Sequence, residues 1–262
     1  MKLLTLARDL KRRKSRERQG LFVAEGVRTV EELLDADLAV RGILAAPTLR
    51  GSDRGDALLE RAFARSIPVL EVSEADFASA ADTESPQGIL AIAGTPSHSP
   101  DDVVAAEGSI VVLDALQDPG NVGTILRTAA AFGAAGVLAL PGTVDLWNAK
   151  VVRSAMGALF RLPTAHVGSD RLGDLLASRA VPLWGADAGG DPLDADLAVP
   201  PRVAVALGNE GAGLSPMVRE RSDRLVAIPI SPGVESLNVA VAAGILLYAL
   251  GTAHRAHRAH GA

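Results

Sequence analysis

Three short stretches combine residue types that hold small ligands and phosphates. The first, Asp114–Arg127, reads DALQDPGNVGTILR: an apolar run ends in the turn Pro119–Gly120, and Asn121 stands where it can cap the next helix. Arg127 follows six positions later, under two helical turns along. Asn121 could be only a cap and Arg127 only a surface charge, or both could face a ligand. The second stretch, Leu207–Ser215, reads LGNEGAGLS and places Gly208, Gly211 and Gly213 directly after the apolar run Val203–Leu207. Glycines there let backbone amides approach a ligand and permit positive φ. The spacing is neither the dinucleotide fingerprint GxGxxG nor a Walker phosphate loop, so dehydrogenase and nucleotide-hydrolase readings lose their main support. The third, Ile228–Asn238, reads IPISPGVESLN. Ser236 is placed to cap the last helix with Asn238 in its first turn, and either could instead face a ligand.

The surrounding pattern says how these loops would be held. Residues 1–95 read as a small mixed domain: a basic helix, a strand at Gly20–Glu25, a helix at Val27–Asp35, strands at Val40–Ala45, Ile67–Glu71 and Ile89–Ala93, and a helix at Ala57–Ala64. Residues 96–107, rich in Pro, Ser and Asp, read as a linker. From residue 108 to 252 short apolar runs alternate with helical stretches, which predicts a parallel sheet covered on both faces. In such sheets ligands bind beyond the carboxyl ends of the strands, where the three loops lie. A long apolar helix from Ser236 to Leu250 closes the domain, with Leu237, Val241 and Ile245 on one line and Ala240, Ala243 and Gly244 among them. Burial is the expectation for it. Residues 253–262, rich in Arg and His, are expected to be a disordered tail.

The chain of 262 residues is 48% hydrophobic, enough for one large core or two modest ones, and two domains are expected. It has no Cys, which excludes disulfides, thiolate nucleophiles, Cys-ligated zinc and iron–sulfur clusters. No metal-ligand spacing is present, and His98, His166, His254, His257 and His260 read as structural or tail residues. No apolar run approaches the length of a membrane span, and a soluble cytoplasmic protein is expected. The net charge of −5 argues weakly against a nucleic-acid partner. Its distribution argues the other way: Arg8, Lys11, Arg12, Arg13, Lys14, Arg16 and Arg18 face only Asp9 and Glu17. That run is a local basic footprint, with Lys11, Arg12, Arg13, Lys14 and Arg18 as candidate RNA contacts, or else a solvated helix face.

Together the stretches are more specific than any one of them. NVGTILRTAAAFGA, LGNEGAGLS and IPISPGVESLNVAVAAGI, in that order over Asn121–Ile245, resemble motifs one, two and three of the SpoU (TrmH-type) branch of the SPOUT RNA methyltransferases. FVAEGVRTVEELL at Phe22–Leu34 and SPQGILAIA at Ser85–Ala93 resemble the L30e-like substrate-binding domain of members that act on ribosomal RNA.

The resemblance implies an α/β fold whose carboxyl-terminal parallel-sheet domain carries a deep trefoil knot, against the general rule that chains do not thread. It implies S-adenosyl-L-methionine as cofactor, held by Leu207, Gly208, Asn209, Gly211, Ile228, Pro229, Ile230, Ser236 and Leu237. The glycines would leave room for the methionine part. It implies transfer of the methyl group to a ribose 2′-hydroxyl of RNA, ribosomal rather than transfer RNA. Arg127 would contact the hydroxyl and adjacent phosphate, with Asn121, Glu210, Ser236 and Asn238 shaping the site. A guanidinium stays protonated, so Arg127 is read as a clamp and alkoxide stabiliser, the proton leaving through phosphate or water. A homodimer is implied, in which the arginine can reach the neighbouring site. The competing reading is a non-catalytic RNA-binding or ribosome-assembly factor on the same fold.

Overall fold

The computed structural model describes residues 2–193 and 198–260. The chain divides into two compact units: Met1–Pro96 with Asp145–Arg161, and Ser97–Val144 with Leu162–Ala262.

The first unit begins with two helices, α1 (Leu3–Asp9) and α2 (Arg13–Gln19), where one was expected. Gly20, at φ 60°, ends α2 in the left-handed conformation that glycine adopts freely. There follow β1 (Leu21–Glu25), α3 (Val27–Asp35), β2 (Val40–Ala45), α4 (Asp53–Ala64), β3 (Val69–Glu71), α5 (Glu74–Ala80) and β4 (Ile89–Gly94). The sheet order is β1-β4-β2-β3, with β4 antiparallel to both neighbours and β2 parallel to β3. α4 starts four residues earlier than its apolar pattern because the Ser52 hydroxyl accepts the Gly55 N–H. α5, absent from the sequence expectation, is capped in the same way by Ser73 and buries Phe77. The core gathers Leu6, Leu10, Val23, Leu44, Phe77, Leu90 and Ile92.

The second unit opens inside the expected linker with α6 (Pro100–Ala105), held by a reciprocal Ser99–Asp102 capping box. It continues with β5 (Ser109–Leu113), α7 (Pro119–Ala131) and β6 (Gly136–Ala139). The chain then folds with the first unit through α8 (Ala149–Ser154). It resumes with β7 (Thr164–His166), α9 (Ser169–Ala177), β8 (Leu183–Pro192), β9 (Val203–Leu207), α10 (Pro216–Arg221), β10 (Arg224–Ala227) and α11 (Val239–His260). The strands form one wholly parallel sheet in the order β10-β8-β9-β5-β6-β7. β5 and β9 are buried along their whole lengths, as strands covered on both faces must be.

Within the span 108–252, residues 145–161 pack with the first unit: Trp147 and Phe160 lie on Phe22, with ring centroids 4.6 and 5.5 Å apart. Asp145 takes the buried Arg16 guanidinium, whose Nε lies 2.9 Å from Oδ2. Apolar periodicity marks an element but not the unit into which it buries. The tail is helical as far as His260, and residues 261–262 lie outside the described residues. Finally, α11 turns Ala240, Ala243, Leu246, Leu247 and Leu250 inward and leaves Val241 and Ile245 at 52% and 39% exposure. The burial expected for this helix is therefore one-sided in the single chain.

Candidate functional site

The second and third loops line a cavity of about 540 Å³ at the carboxyl ends of β9 and β10, and the first, after β5, is joined to its rim by hydrogen bonds of Asn121 to Glu210 and Asn238. Leu207, Gly208, Asn209, Glu210, Gly211, Ile228, Ile230, Ser236, Leu237 and Asn238 line it; Pro229 does not, and neither do Asn121 and Arg127. Its inner wall is apolar, from Leu207, Val226, Ile228 and Leu246, and Glu210, Ser236 and Asn238 are exposed. Such a mixture suits a flat heteroaromatic ring inside and polar groups outside.

The helix caps differ from the sequence expectation. Asp118, not Asn121, caps α7, its Oδ1 accepting the Asn121 N–H at 2.8 Å. Asn238, not Ser236, caps α11, its Oδ1 accepting from the amides of Ala240 (2.9 Å) and Val241 (3.3 Å). Both displaced assignments have one cause: the polar residue that caps is the one whose oxygen reaches the first free amides, and several candidates crowd each loop. The outcome leaves Asn121 free to bridge. Asn238 Nδ2 donates to Asn121 Oδ1 at 3.1 Å, and Asn121 Nδ2 donates to Glu210 Oε1 at 3.2 Å. The direction of this relay is forced, because Asn238 Oδ1 is engaged by backbone amides and Glu210, when ionised, only accepts. One residue from each motif is thereby tied to the others.

The glycine loop is held by its own side chain. Asn209 Oδ1 accepts from Gly211 N (3.0 Å) and Ala212 N (3.1 Å), and Nδ2 donates to the carbonyl of Ala115 at 2.9 Å. Backbone bonds of 2.9 Å in both directions join Asn209 and Gly213. Asp114, buried at the end of β5, accepts the Ser215 N–H at 2.7 Å and ties the first loop to the second. The glycines therefore differ in purpose. A Cβ on Gly208 would stand 2.3 Å from Gly213 C and Leu214 N, whereas one on Gly211 would meet nothing nearer than Asn209 Oδ1 at 3.8 Å. Gly208 admits the loop's own return strand rather than leaving room for a ligand, and Gly213 is needed for its φ of 70°.

Arg127 is exposed and, among the described residues, forms no hydrogen bond or ion pair; six residues beyond Asn121 it lies about 9 Å further along α7 and on another face. The sequence expectation missed Ala186, Asp187 and Ala188, which line the cavity after the buried start of β8. They lie inside β8, where its pairing with β10 shifts register, so a rule that looks beyond strand ends passes over them. Asp187 is engaged, accepting from Arg219 and from Gly189 N. Among the described residues no group of three or more His, Cys, Asp or Glu could hold a metal, and no helix is long and apolar enough to cross a membrane.

In the amino-terminal run, Lys11, Arg12, Arg13, Lys14 and Arg18 are exposed and Arg16 is buried. Arg12 and Arg18 pair with Asp9, and Arg13 with Glu17, which raises the pKa of Arg13 mainly through their hydrogen bond.

Residues 108–248 match the model of the SpoU rRNA Methylase family, and residues 5–91 match that of an MRM3-like substrate binding domain. The chain is 35% identical over 244 residues, 93% of each protein, to the 23S rRNA (guanosine(2553)-2′-O)-methyltransferase RlmP of Bacillus subtilis. It is 35% identical to an uncharacterized tRNA/rRNA methyltransferase of Mycobacterium marinum, over 85% of this chain and 74% of that one. Among solved structures it resembles the SpoU methyltransferase AviRb of Streptomyces viridochromogenes in complex with AdoMet, at a TM-score of 0.83 and 28% identity, covering 96% and 97% of the two chains. A putative RNA methyltransferase of the TrmH family from Porphyromonas gingivalis is similar at a TM-score of 0.77 and 34% identity, covering 94% and 96%.

Proposed function

We infer that this chain, which belongs to the SpoU rRNA methylase family, is an S-adenosylmethionine-dependent methyltransferase acting on a ribose 2′-hydroxyl of RNA. The single observation that carries the reading is the hydrogen-bonded series Asn238–Asn121–Glu210, which ties the first motif loop to the two that line the cavity. The cavity fits the cofactor: its volume lies within the range of nucleotide-sized ligands and its inner wall is apolar. Leu207, Ile228 and Ile230 would hold the adenine by strand-end backbone and apolar surface, and Gly211, Ser236 and Leu237 would hold the remainder. The bound cofactor supplies an electrophilic methyl group.

The protein must then orient a ribose hydroxyl and manage its proton. Glu210 and Asn238 at the open side would fix the acceptor ribose, with Asn121 as the residue that positions them. Arg127 would clamp the neighbouring phosphate and stabilise the developing alkoxide with a permanent charge. Arg127 lies off the cavity lining of its own chain, and α11 presents an exposed apolar stripe of Val241, Ile245 and Tyr248. Both features favour a homodimer in which each arginine serves the partner's site. Mixing inactive Arg127→Ala protein with an inactive cavity variant should then restore activity; no restoration would remove the partner's role. A deep trefoil knot belongs to the same reading, and a chain path that unthreads when pulled from its ends would end it.

The relative RlmP, named for 23S rRNA and matched over 93% of both chains, favours large-subunit ribosomal RNA, and with it a cytoplasmic location. The exposed Lys11, Arg12, Arg13, Lys14 and Arg18 supply phosphate contacts for that substrate. The test is transfer of labelled methyl from S-adenosylmethionine to ribosomal and transfer RNA by wild type and Arg127→Ala, with the product mapped to a nucleotide. Label on one ribose of 23S rRNA, lost in the variant, supports the whole reading; label on transfer RNA replaces the substrate. Cofactor binding with no transfer to either would favour a non-catalytic role on ribosomal RNA.

A further inference from the structure

The two amino-terminal stretches singled out in the sequence, Phe22–Leu34 and Ser85–Ala93, meet within the first unit at a second cavity, of about 290 Å³. Gly26, Arg28, Thr83, Ser85, Gln87 and Arg153 line it. Its wall is rich in donors whose usual acceptors are lacking. Arg153 Nη1 is buried and makes no hydrogen bond; its ion-pair partner, Asp82 Oδ2, stands 3.8 Å away, beyond hydrogen-bond reach. A guanidinium cannot shed its charge to relieve that state. Arg28, at the opening, is exposed and, among the described residues, forms no hydrogen bond or ion pair. Gln87 Oε1 accepts the Val27 N–H at 2.9 Å, which fixes the amide and leaves Nε2 as a donor. Glu25, the acidic residue in the wall, is already engaged, accepting from Asp82 N at 2.7 Å, Thr83 N at 3.3 Å and the Thr83 hydroxyl.

Two permanent cations and an amide donor around a cavity whose carboxylate is engaged call for an anionic, acceptor-rich ligand. The volume exceeds what a bare ion needs and sits near the lower end of small-ligand cavities, about 300 Å³. An unstacked nucleotide, the form in which RNA is read specifically, has both the anion and the bulk. We propose that this cavity captures one unstacked nucleotide of the substrate RNA by its phosphodiester, clamped between Arg153 and Arg28, with Gln87 and Ser85 hydrogen-bonding beside it. The proposal rests on the RNA-methyltransferase reading above. It gives Arg153, which falls within the methylase match by sequence but folds with the first unit, a part in substrate binding.

The experiment is binding of full-length protein to a 23S rRNA transcript over a salt series, with Arg28→Gln, Arg153→Gln and the double variant, alongside cofactor affinity and methyl-transfer kinetics. Arg153→Gln should weaken RNA binding about fivefold and Arg28→Gln about threefold, the contact to the half-buried guanidinium being less screened than that to the exposed one. The salt slope should fall by about 0.7 to 0.9 for each arginine removed. KM for RNA should rise while kcat at saturating RNA and cofactor affinity stay at wild-type values. Ser85→Asp, at an exposed position that needs no refolding, should weaken binding by placing a like charge beside the phosphate, and serves if Arg153 variants lose the fold. Unchanged RNA affinity and salt slope in the double variant and in Ser85→Asp, with wild type active, would overturn the proposal. If wild type transfers no methyl to any RNA, the functional reading fails instead, and the affinity series still decides the cavity.

Discussion

Replacing Gly208 by alanine tests whether the glycine loop is shaped by its own return strand or by the ligand. The new Cβ would lie 2.3 Å from Gly213 C and Leu214 N, where real contacts of this kind do not fall below 3.0 Å. These neighbours are backbone atoms and cannot swing aside, so the loop must open. Opening breaks both 2.9 Å backbone bonds between Asn209 and Gly213. At about 1 kcal/mol net for each bond, closing the loop becomes harder by about 2 kcal/mol. If S-adenosylmethionine binds only the closed loop, its affinity falls about 30-fold. Gly213→Ala has open space but a φ of 70°, which costs a non-glycine residue about 1 kcal/mol and predicts about fivefold. Gly211→Ala, with 3.8 Å of clearance, should stay within about twofold. Titration calorimetry with S-adenosylmethionine on the three variants reads the order directly. Gly208→Ala binding within about threefold of wild type, or Gly211→Ala as damaged as Gly208→Ala, would refute the reasoning.

Asn121→Ala should lower kcat/KM about tenfold while leaving cofactor affinity nearly unchanged, because Asn121 links Glu210 to Asn238 without lining the cavity; an equal loss in cofactor affinity would count against it. Arg16→Ala should destabilise the protein by about 3 kcal/mol in urea unfolding, since it strands Asp145, whereas replacing Lys11, Arg12, Arg13 and Lys14 together should leave stability near wild type and weaken RNA binding with a flatter salt dependence. If the quadruple variant binds RNA unchanged, the basic run is only a solvated face. The Ser99 hydroxyl and backbone N–H hold the Asp102 carboxyl below its ordinary value of 3.8. A depressed folded pKa means that the carboxylate's contribution is full above that ordinary value and is lost as pH falls through the lower one. Asp102→Asn should therefore flatten the acid limb of the stability profile below about pH 4, measured by thermal unfolding across pH; an unaltered limb would dismiss the capping box as its source.

Much of this protein was legible from residue order alone. The period of the apolar runs located most strands, Val40–Ala45 and Val203–Leu207 to the residue, the second because a strand buried on both faces must be continuously apolar. The three motif loops were legible because polar and glycine residues directly after such strands have few structural uses. Sequence could not say which polar residue in a crowded loop would cap its helix, and it chose Asn121 and Ser236 where Asp118 and Asn238 serve. Nor could it separate Gly208 from Gly211, whose difference is the distance to a strand five residues later. Only the tertiary structure buried Arg16 out of a run of seemingly equivalent cations, folded Asp145–Arg161 with the first unit, and turned Val241 and Ile245 outward. The division has a physical cause. Periodicity and turn chemistry act over a few neighbouring residues and are written in their order, whereas burial, ion pairing and the clearance around a missing Cβ depend on what the fold brings within a few ångströms.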